Sequence, residues 1–183
     1  MNLVENTIHS EVKYKGKVLS MREDVVVLPN NKEGTREVVQ HNGAVGVVAL
    51  TNDNRIILVK QFRAGIKRIT LELPAGKLEL GEDPLECGKR ELEEETGYIA
   101  ESYRKLTAFA TSPAILEEII HVYLATELKQ GETNPDDDEF VETVVVPISE
   151  AKNMIVSGEI EDGKTIIGIL LTCEYLNTLG VEF

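Results

Sequence analysis

Residues 76–98 read Gly76-Lys-Leu-Glu-Leu-Gly-Glu82-Asp-Pro-Leu-Glu-Cys-Gly-Lys-Arg90-Glu91-Leu92-Glu93-Glu94-Glu95-Thr96-Gly97-Tyr98. The second half of this stretch predicts a helix. Asp83 fits the N-cap, where a short acceptor side chain satisfies the first free backbone N–H groups. Pro84 fits the first helical position, Glu86 stands where a capping-box acid belongs, and Gly97 fits the C-terminal stop. At about 100° per residue, Leu85, Gly88, Leu92 and Thr96 form one stripe that packs on a sheet, with Gly88 letting the backbones come close. Glu86, Lys89 and Glu93 face water, and Glu91, Glu94 and Glu95 share a third arc. Like charges at helical spacing each cost a few tenths of a kcal/mol, a cost that a cation offsets. Hard divalent ions prefer clustered carboxylates, carbonyls and water. The plain alternative is a solvated acidic face, common on Glu-rich helices.

Working outward, the chain upstream reads as strands. Val12–Tyr14 and Val18–Met21 flank Lys15-Gly16, a hairpin signal; Asp24–Leu28 is a run of β-formers closed by Pro29-Asn30-Asn31, and Thr35–Gln40 resumes it. Ala44–Leu50 and Arg55–Phe62 are near-continuous apolar runs split by Thr51-Asn52-Asp53-Asn54, the pattern of central strands buried on both faces. Ile69–Leu73 is a short strand that stops at Pro74. Downstream, Leu106–Thr111, Ile119–Thr126 and Val141–Pro147 read as strands, and Gln130–Glu139 as a polar, acidic, mobile loop. Ser149–Ser157 and Lys164–Leu179 read as helices. The class is α+β: a mixed sheet sandwiched between helices, with an N-terminal antiparallel β extension.

The 183 residues suffice for one full hydrophobic core. Thirty-two acids against 19 bases give a net charge of −13, which repels phosphate backbones and argues against broad nucleic-acid binding. An anionic substrate would need a cation or a local arginine to offset that field. The start MNLVENTIHS lacks the basic and apolar segments of a signal peptide, and the apolar stretch Ile166 to Cys173 is too short to span a bilayer. The expectation is a cytoplasmic chain with no membrane partner. Cys87 and Cys173 fall in stretches read as helical and are expected to be buried, reduced thiols. His9, His41 and His121 show no metal spacing, and no Ser-His-Asp or Cys-His arrangement stands out.

The stretch 76–98 resembles the Nudix signature: glycine, five residues, glutamate, seven residues, then Arg-Glu-aliphatic-x-Glu-Glu-x-Gly-hydrophobic. Every fixed position agrees, with Tyr98 where an aliphatic residue is more usual. The resemblance implies a Nudix fold that binds Mg²⁺ or Mn²⁺ and hydrolyses a nucleoside diphosphate linked to another group. By position, Glu91 and Glu95 would be the principal metal ligands, with Glu94 and the backbone carbonyl of Ala75 beside them. Gly76, Glu82 and Arg90 would be structural parts of the box, the last two as an ion pair.

Beyond the box, Gln61-Phe62-Arg63, Leu71-Glu72-Leu73-Pro74-Ala75-Gly76, Pro113 at fifteen residues past Tyr98, and Ser157–Thr165 resemble the ADP-ribose pyrophosphatase subfamily. Related nucleotide-sugar hydrolases share several of these features. The resemblance implies cleavage of ADP-ribose to AMP and ribose 5-phosphate; the alternatives are another sugar nucleotide or dinucleotide, or a non-catalytic nucleotide-binding module. In the loop Ser112–Glu118, where Ala114 replaces a more usual glycine, alignment makes Glu118 the catalytic base, with neighbouring Glu117 its rival and Glu94 the next candidate. Arg63 suits a diphosphate, because a guanidinium binds it bidentately. Glu72 either binds a ribose hydroxyl or faces solvent. Arg36, and Arg22 with it, would reach an adenosine across a dimer interface. The division expected is a β extension over 1–42 that forms a homodimer and a hydrolase domain over 43–183.

Overall fold

The computed structural model describes residues 2–133 and 140–181. The stretch read as a loop, Gln130–Glu139, lies from residue 134 onward outside the described residues. The chain divides into two compact units, Met1–Gly43 with Phe109–Ile119, and Ala44–Ala108 with Ile120–Phe183.

The first unit is built on an antiparallel sheet in the order β1 (Asn6–Lys15), β2 (Ser20–Val27), β3 (Glu33–Gln40). The stretches read separately as Val18–Met21 and Asp24–Leu28 contribute to one strand: Ser20 to Val27 form β2, which pairs along its length with β3 from Ser20↔Gln40 to Val27↔Glu33, while Val18 and Leu19 lie in the turn before it. Cross-strand pairing over eight residues outweighs the charged interruption Arg22-Glu23-Asp24, whose side chains need only alternate faces. The turn from β1 to β2 closes through Gly16 N–H to the Leu19 carbonyl at 2.9 Å. Strand β1 is the edge, and all ten of its residues are exposed. In the same unit the loop after residue 110 runs beside β3: Leu116 bridges Val39 in parallel.

The second unit holds β4 (Ala44–Leu50), β5 (Arg55–Arg63), β6 (Arg68–Glu72), β7 (Ala75–Lys77), α1 (Pro84–Thr96), β8 (Tyr98–Ala110), β9 (Ile119–Gln130), β10 (Glu142–Pro147), α2 (Ile148–Ser157) and α3 (Gly163–Thr178); the ends of β8 and β9 nearest their connecting loop fall in the first unit. The sheet order is β10-β5-β4-β9-β8, with β6 on β5 and β7 on β4. The sheet is mixed, because β4 runs parallel to β9 while its pairings with β5 and β7 are antiparallel.

Alternation along β4 places the helices on opposite faces. A methyl group on Gly88 of α1 would meet Val45 and Val47 at 3.1 and 3.2 Å, whereas Gly168 of α3 lies against Val48. A strand covered on both sides needs apolar residues at every position, and Val45 through Leu50 are all buried. Strand β7 is the element without a sequence signal. Three residues after a proline carry no periodicity, and the strand forms only because β4 offers it an edge.

Candidate active site

Helix α1 starts and stops where the sequence predicts. Asp83 Oδ1 accepts the N–H groups of Leu85 and Glu86 at 2.9 and 3.2 Å, and Gly97 ends the helix in the left-handed region at φ 71°. Glu86 is turned outward to Lys89 at 2.7 Å rather than serving as a capping-box acid. Leu92 and Gly88 are buried as the stripe requires, while Lys89 and Glu93 are exposed.

The acidic arc is not a solvated face. Glu91 and Glu95 are 7% and 3% exposed, far below what a charged surface residue keeps. Both are directed at the short segment of β7. Glu95 Oε2 accepts the Ala75 N–H at 2.9 Å. The Glu91 carboxylate occupies the space above Gly76, where even the farther oxygen lies 2.5 Å from the position a side-chain carbon would take. Glycine is required there by the carboxylate rather than by a turn.

Arg90 ties the arc together. Its Nη1 lies 2.9 Å from both Glu91 Oε1 and Glu94 Oε2, and its Nη2 is 3.3 Å from Glu82 Oε1. Burial works against the charged guanidinium, but Glu91 and Glu94 more than offset it and raise its pKa. Glu82 is held in turn by the Glu79 N–H at 2.8 Å, which with Arg90 lowers its pKa. Neighbouring Cys87 is a buried thiol whose pKa burial pushes up to about 12, so it is no nucleophile.

The donors fit a hard divalent cation in kind: carboxylate oxygens, two of them buried, with a backbone strand alongside. Among the described residues, no three His, Cys, Asp or Glu side chains converge on one point. Here the carboxylates take protein donors, Arg90 for Glu91 and Glu94, and the Ala75 N–H for Glu95.

A second cluster surrounds Glu72, which is 1% exposed. The alternative in which it faces solvent is therefore excluded. Arg63 donates to it bidentately, Nε to Oε1 at 2.7 Å and Nη2 to Oε2 at 2.6 Å. Lys164 Nζ also binds Oε2, and the Thr70 hydroxyl donates to Oε1 at 2.5 Å. Burial alone would raise the Glu72 pKa, yet Arg63, Lys164 and Thr70 together bring it down to about 2. Lys164 further reaches Asp162, the N-cap of α3, at 3.1 Å. Residues 157–165 carry a resemblance, but nothing in that stretch identifies Lys164 as a partner of a residue 92 positions away. Its one available signal is a lysine in the first turn of a helix, where the helix dipole disfavours a cation unless acids surround it.

The remaining candidates lie in the first unit. Arg36 is bound to Glu5 through Nε and Nη2 at 2.9 and 2.5 Å. Arg22 Nη1 lies 2.7 Å from Glu117 Oε1, and Arg22 Nε donates to Asp24. Glu118 accepts the Thr111 hydroxyl at 2.8 Å and lies 3.4 Å from His41 Nδ1. The two rival loop acids thus have different partners.

The model of the NUDIX domain matches residues 40–166, and that of a nucleoside diphosphate sugar hydrolase N-terminal domain matches residues 5–39. The ADP-ribose pyrophosphatase of Bacillus subtilis (strain 168) is 47% identical over 170 residues, 92% of each chain. The methanol dehydrogenase activator of Bacillus methanolicus is 45% identical over 167 residues, 90% of each. In fold, the chain is similar to the crystal structure of an ADP compounds hydrolase, with a TM-score of 0.86 at 20% identity over 96% of each chain. The complete box on α1, the domain match over most of the chain and these relatives agree, and the chain belongs to the Nudix family.

Proposed function

We propose that the chain hydrolyses the pyrophosphate bond of ADP-ribose to AMP and ribose 5-phosphate, using Mg²⁺ or Mn²⁺. The observation that carries the reading is the pair of buried carboxylates, Glu91 and Glu95, laid against Gly76 and Ala75. Burying two acids on one helix face costs stability unless donors or a cation offset it, and such arrangements cluster at functional sites. Glu91 and Glu95 are the proposed principal ligands, with Glu94 and the Ala75 carbonyl beside them. The bound ion supplies stabilisation of charge building on the phosphoryl oxygens and acidifies the attacking water. It also offsets the net charge of −13 toward an anionic substrate.

The protein groups then divide the remaining work. Arg63, anchored by Glu72 through Nε and Nη2, keeps Nη1 for a phosphate oxygen of the substrate. Glu72 serves by fixing that guanidinium, and Arg36 is assigned to the adenosine. Glu118 takes the proton of the attacking water on a carboxylate oxygen, with Glu94 the next candidate. The adenine nucleotide as substrate is supported by the names of the relatives and by the resemblance of residues 61–76 and 113.

The N-terminal extension, residues 1–42, is proposed to form a homodimer: the edge strand β1 exposes Ile8, Val12 and Tyr14, and an exposed apolar edge favours pairing with a second copy. A cytoplasmic location is proposed on the buried free thiols Cys87 and Cys173; among the described residues no helix is long and apolar enough to cross a membrane.

The test is a Mg²⁺-dependent assay with ADP-ribose, ADP-glucose, NADH, GDP-mannose and diadenosine polyphosphates, run on the wild type and on Glu91→Gln and Glu95→Gln. Release of AMP from ADP-ribose at the highest kcat/KM, with turnover reduced severely in both variants, is the expected result. Preference for another member of the panel would reassign the substrate, and near wild-type rates from either variant in saturating Mg²⁺ would overturn the metal site.

A further inference from the structure

The loop that carries Glu117 and Glu118 is registered by the N-terminal sheet. Val39 of β3 donates its N–H to the Ile115 carbonyl at 2.7 Å, and its own carbonyl accepts the Glu117 N–H at 3.0 Å. This pair of bonds brackets Leu116 and fixes its parallel bridge to Val39. With the backbone fixed, the two acids go to different places. Glu117 Oε1 meets Arg22 Nη1 on β2 at 2.7 Å, while Glu118 accepts from the Thr111 hydroxyl at 2.8 Å. Arg22 is itself fixed, because its Nε donates to both oxygens of Asp24, a buried carboxylate that also accepts the Ser10 hydroxyl at 2.6 Å.

We propose that Arg22 is a positioning residue for catalysis: in the loop register that Val39 fixes, it engages Glu117 and holds that side chain aside, so that Glu118 and not Glu117 is the acid that handles water. The inference rests on the assignment of Glu118 as base given above. Adjacent residues in a nearly extended chain point to different sides, so a slip of one residue would exchange the environments of the two acids. Glu117 is committed to a guanidinium through a charge-assisted bond, and doing other work would mean giving up that ion pair. Glu118 accepts the neutral Thr111 hydroxyl and lies 3.4 Å from His41 Nδ1, which itself accepts the Gly43 N–H at 3.1 Å, so no guanidinium commits it.

The experiment measures kcat and KM for ADP-ribose in saturating Mg²⁺ with Arg22→Met, Glu117→Gln, the double variant, Arg22→Lys and Glu118→Gln. Glu118→Gln should lower kcat by about 10²-fold or more, the range for loss of a general base. Arg22→Met and Glu117→Gln should each lower kcat by roughly tenfold with KM within about twofold, and the double variant should be no worse than the poorer single, because neighbours acting as a unit are not additive. Arg22→Lys should recover part of the loss. Glu117→Gln, on an exposed residue, keeps the test sound if Arg22→Met fails to fold. A raised KM at constant kcat in Arg22→Met would show that Arg22 binds substrate, and losses that multiply in the double variant would show that the two residues act separately. Wild-type kcat in Arg22→Met and Glu117→Gln would also overturn the proposal. Wild-type kcat in Glu118→Gln would instead remove the base assignment, and the positioning role with it.

Discussion

Replacing Gly76 with alanine sets a methyl group against the carboxylate of Glu91. The farther oxygen lies 2.5 Å from the new carbon, and ordinary van der Waals contact begins at 3.4 Å, so that oxygen must retreat by roughly 0.9 Å and the nearer one by more. The backbone has no cause to move. Gly76 is not among the residues with positive φ, so alanine can adopt its conformation, and the atoms in the way are the end of a flexible side chain. Gly→Ala at a compatible position changes stability by about 1 kcal/mol or less, or roughly 3 °C in melting temperature for a chain of this size.

A metal site tolerates much less displacement, on the order of 0.2 Å in a ligand distance. A misplacement of about 1 Å in a reacting constellation can cost around 10²-fold in rate, or about 2.7 kcal/mol of barrier. The assay is AMP release from ADP-ribose as a function of Mg²⁺, alongside thermal melting. We expect a melting temperature close to wild type, kcat/KM down by about 10²-fold, and half-saturation at higher Mg²⁺. Gly88→Ala provides the contrast, because its methyl group presses on Val45 and Val47 at 3.1 and 3.2 Å and touches no carboxylate. It should lower the melting temperature while leaving turnover per folded molecule nearly unchanged. If Gly76→Ala shows wild-type kcat and wild-type Mg²⁺ dependence with an unchanged melting temperature, Glu91 is not a ligand and the reasoning from burial fails.

Arg63→Ala should raise KM for ADP-ribose more than it lowers kcat, since the guanidinium edge not held by Glu72 is assigned to the diphosphate; an unchanged KM would remove that assignment. Arg90→Ala leaves Glu91 and Glu94 without their shared cation, and a lowered melting temperature together with lost activity is expected; no change in either would show that the guanidinium does not organise the box. The Glu72 pKa is depressed in the fold to about 2 from an ordinary 4.5, so its contribution, on the order of 3 kcal/mol, is present above about pH 4.5 and is lost as pH falls toward 2. The stability difference between wild type and Glu72→Gln should therefore shrink over that acid window in chemical unfolding measured at several pH values. A difference independent of pH there would contradict the pairing with Arg63 and Lys164.

What the sequence determined is what local rules determine. Asp83, Pro84 and Gly97 bound α1 because caps and first-turn prolines act within a few residues, and the bounds follow from them. The apolar runs Val45–Leu50 and Ile56–Val59 specify strands covered on both faces before any partner is known, whereas beyond Val59 the expectation fails, since Lys60 to Arg63 emerge and Phe62 is exposed. The spacing of Gly76, Glu82, Arg90, Glu91 and Glu95 carries the resemblance to the Nudix signature because all five lie within one continuous stretch of chain. Tertiary structure alone decided the rest. Three residues, Ala75–Lys77, become a strand only against the edge of β4. The acidic arc is buried rather than solvated because β7 passes over it, and helical periodicity cannot distinguish those outcomes. Lys164 joins Arg63 at Glu72 across 92 residues, and Arg22 reaches Glu117 from a different strand of the chain. Such pairings depend on which segments the sheet brings together, so the physical reason they were not legible is that long-range contacts carry no period in the sequence.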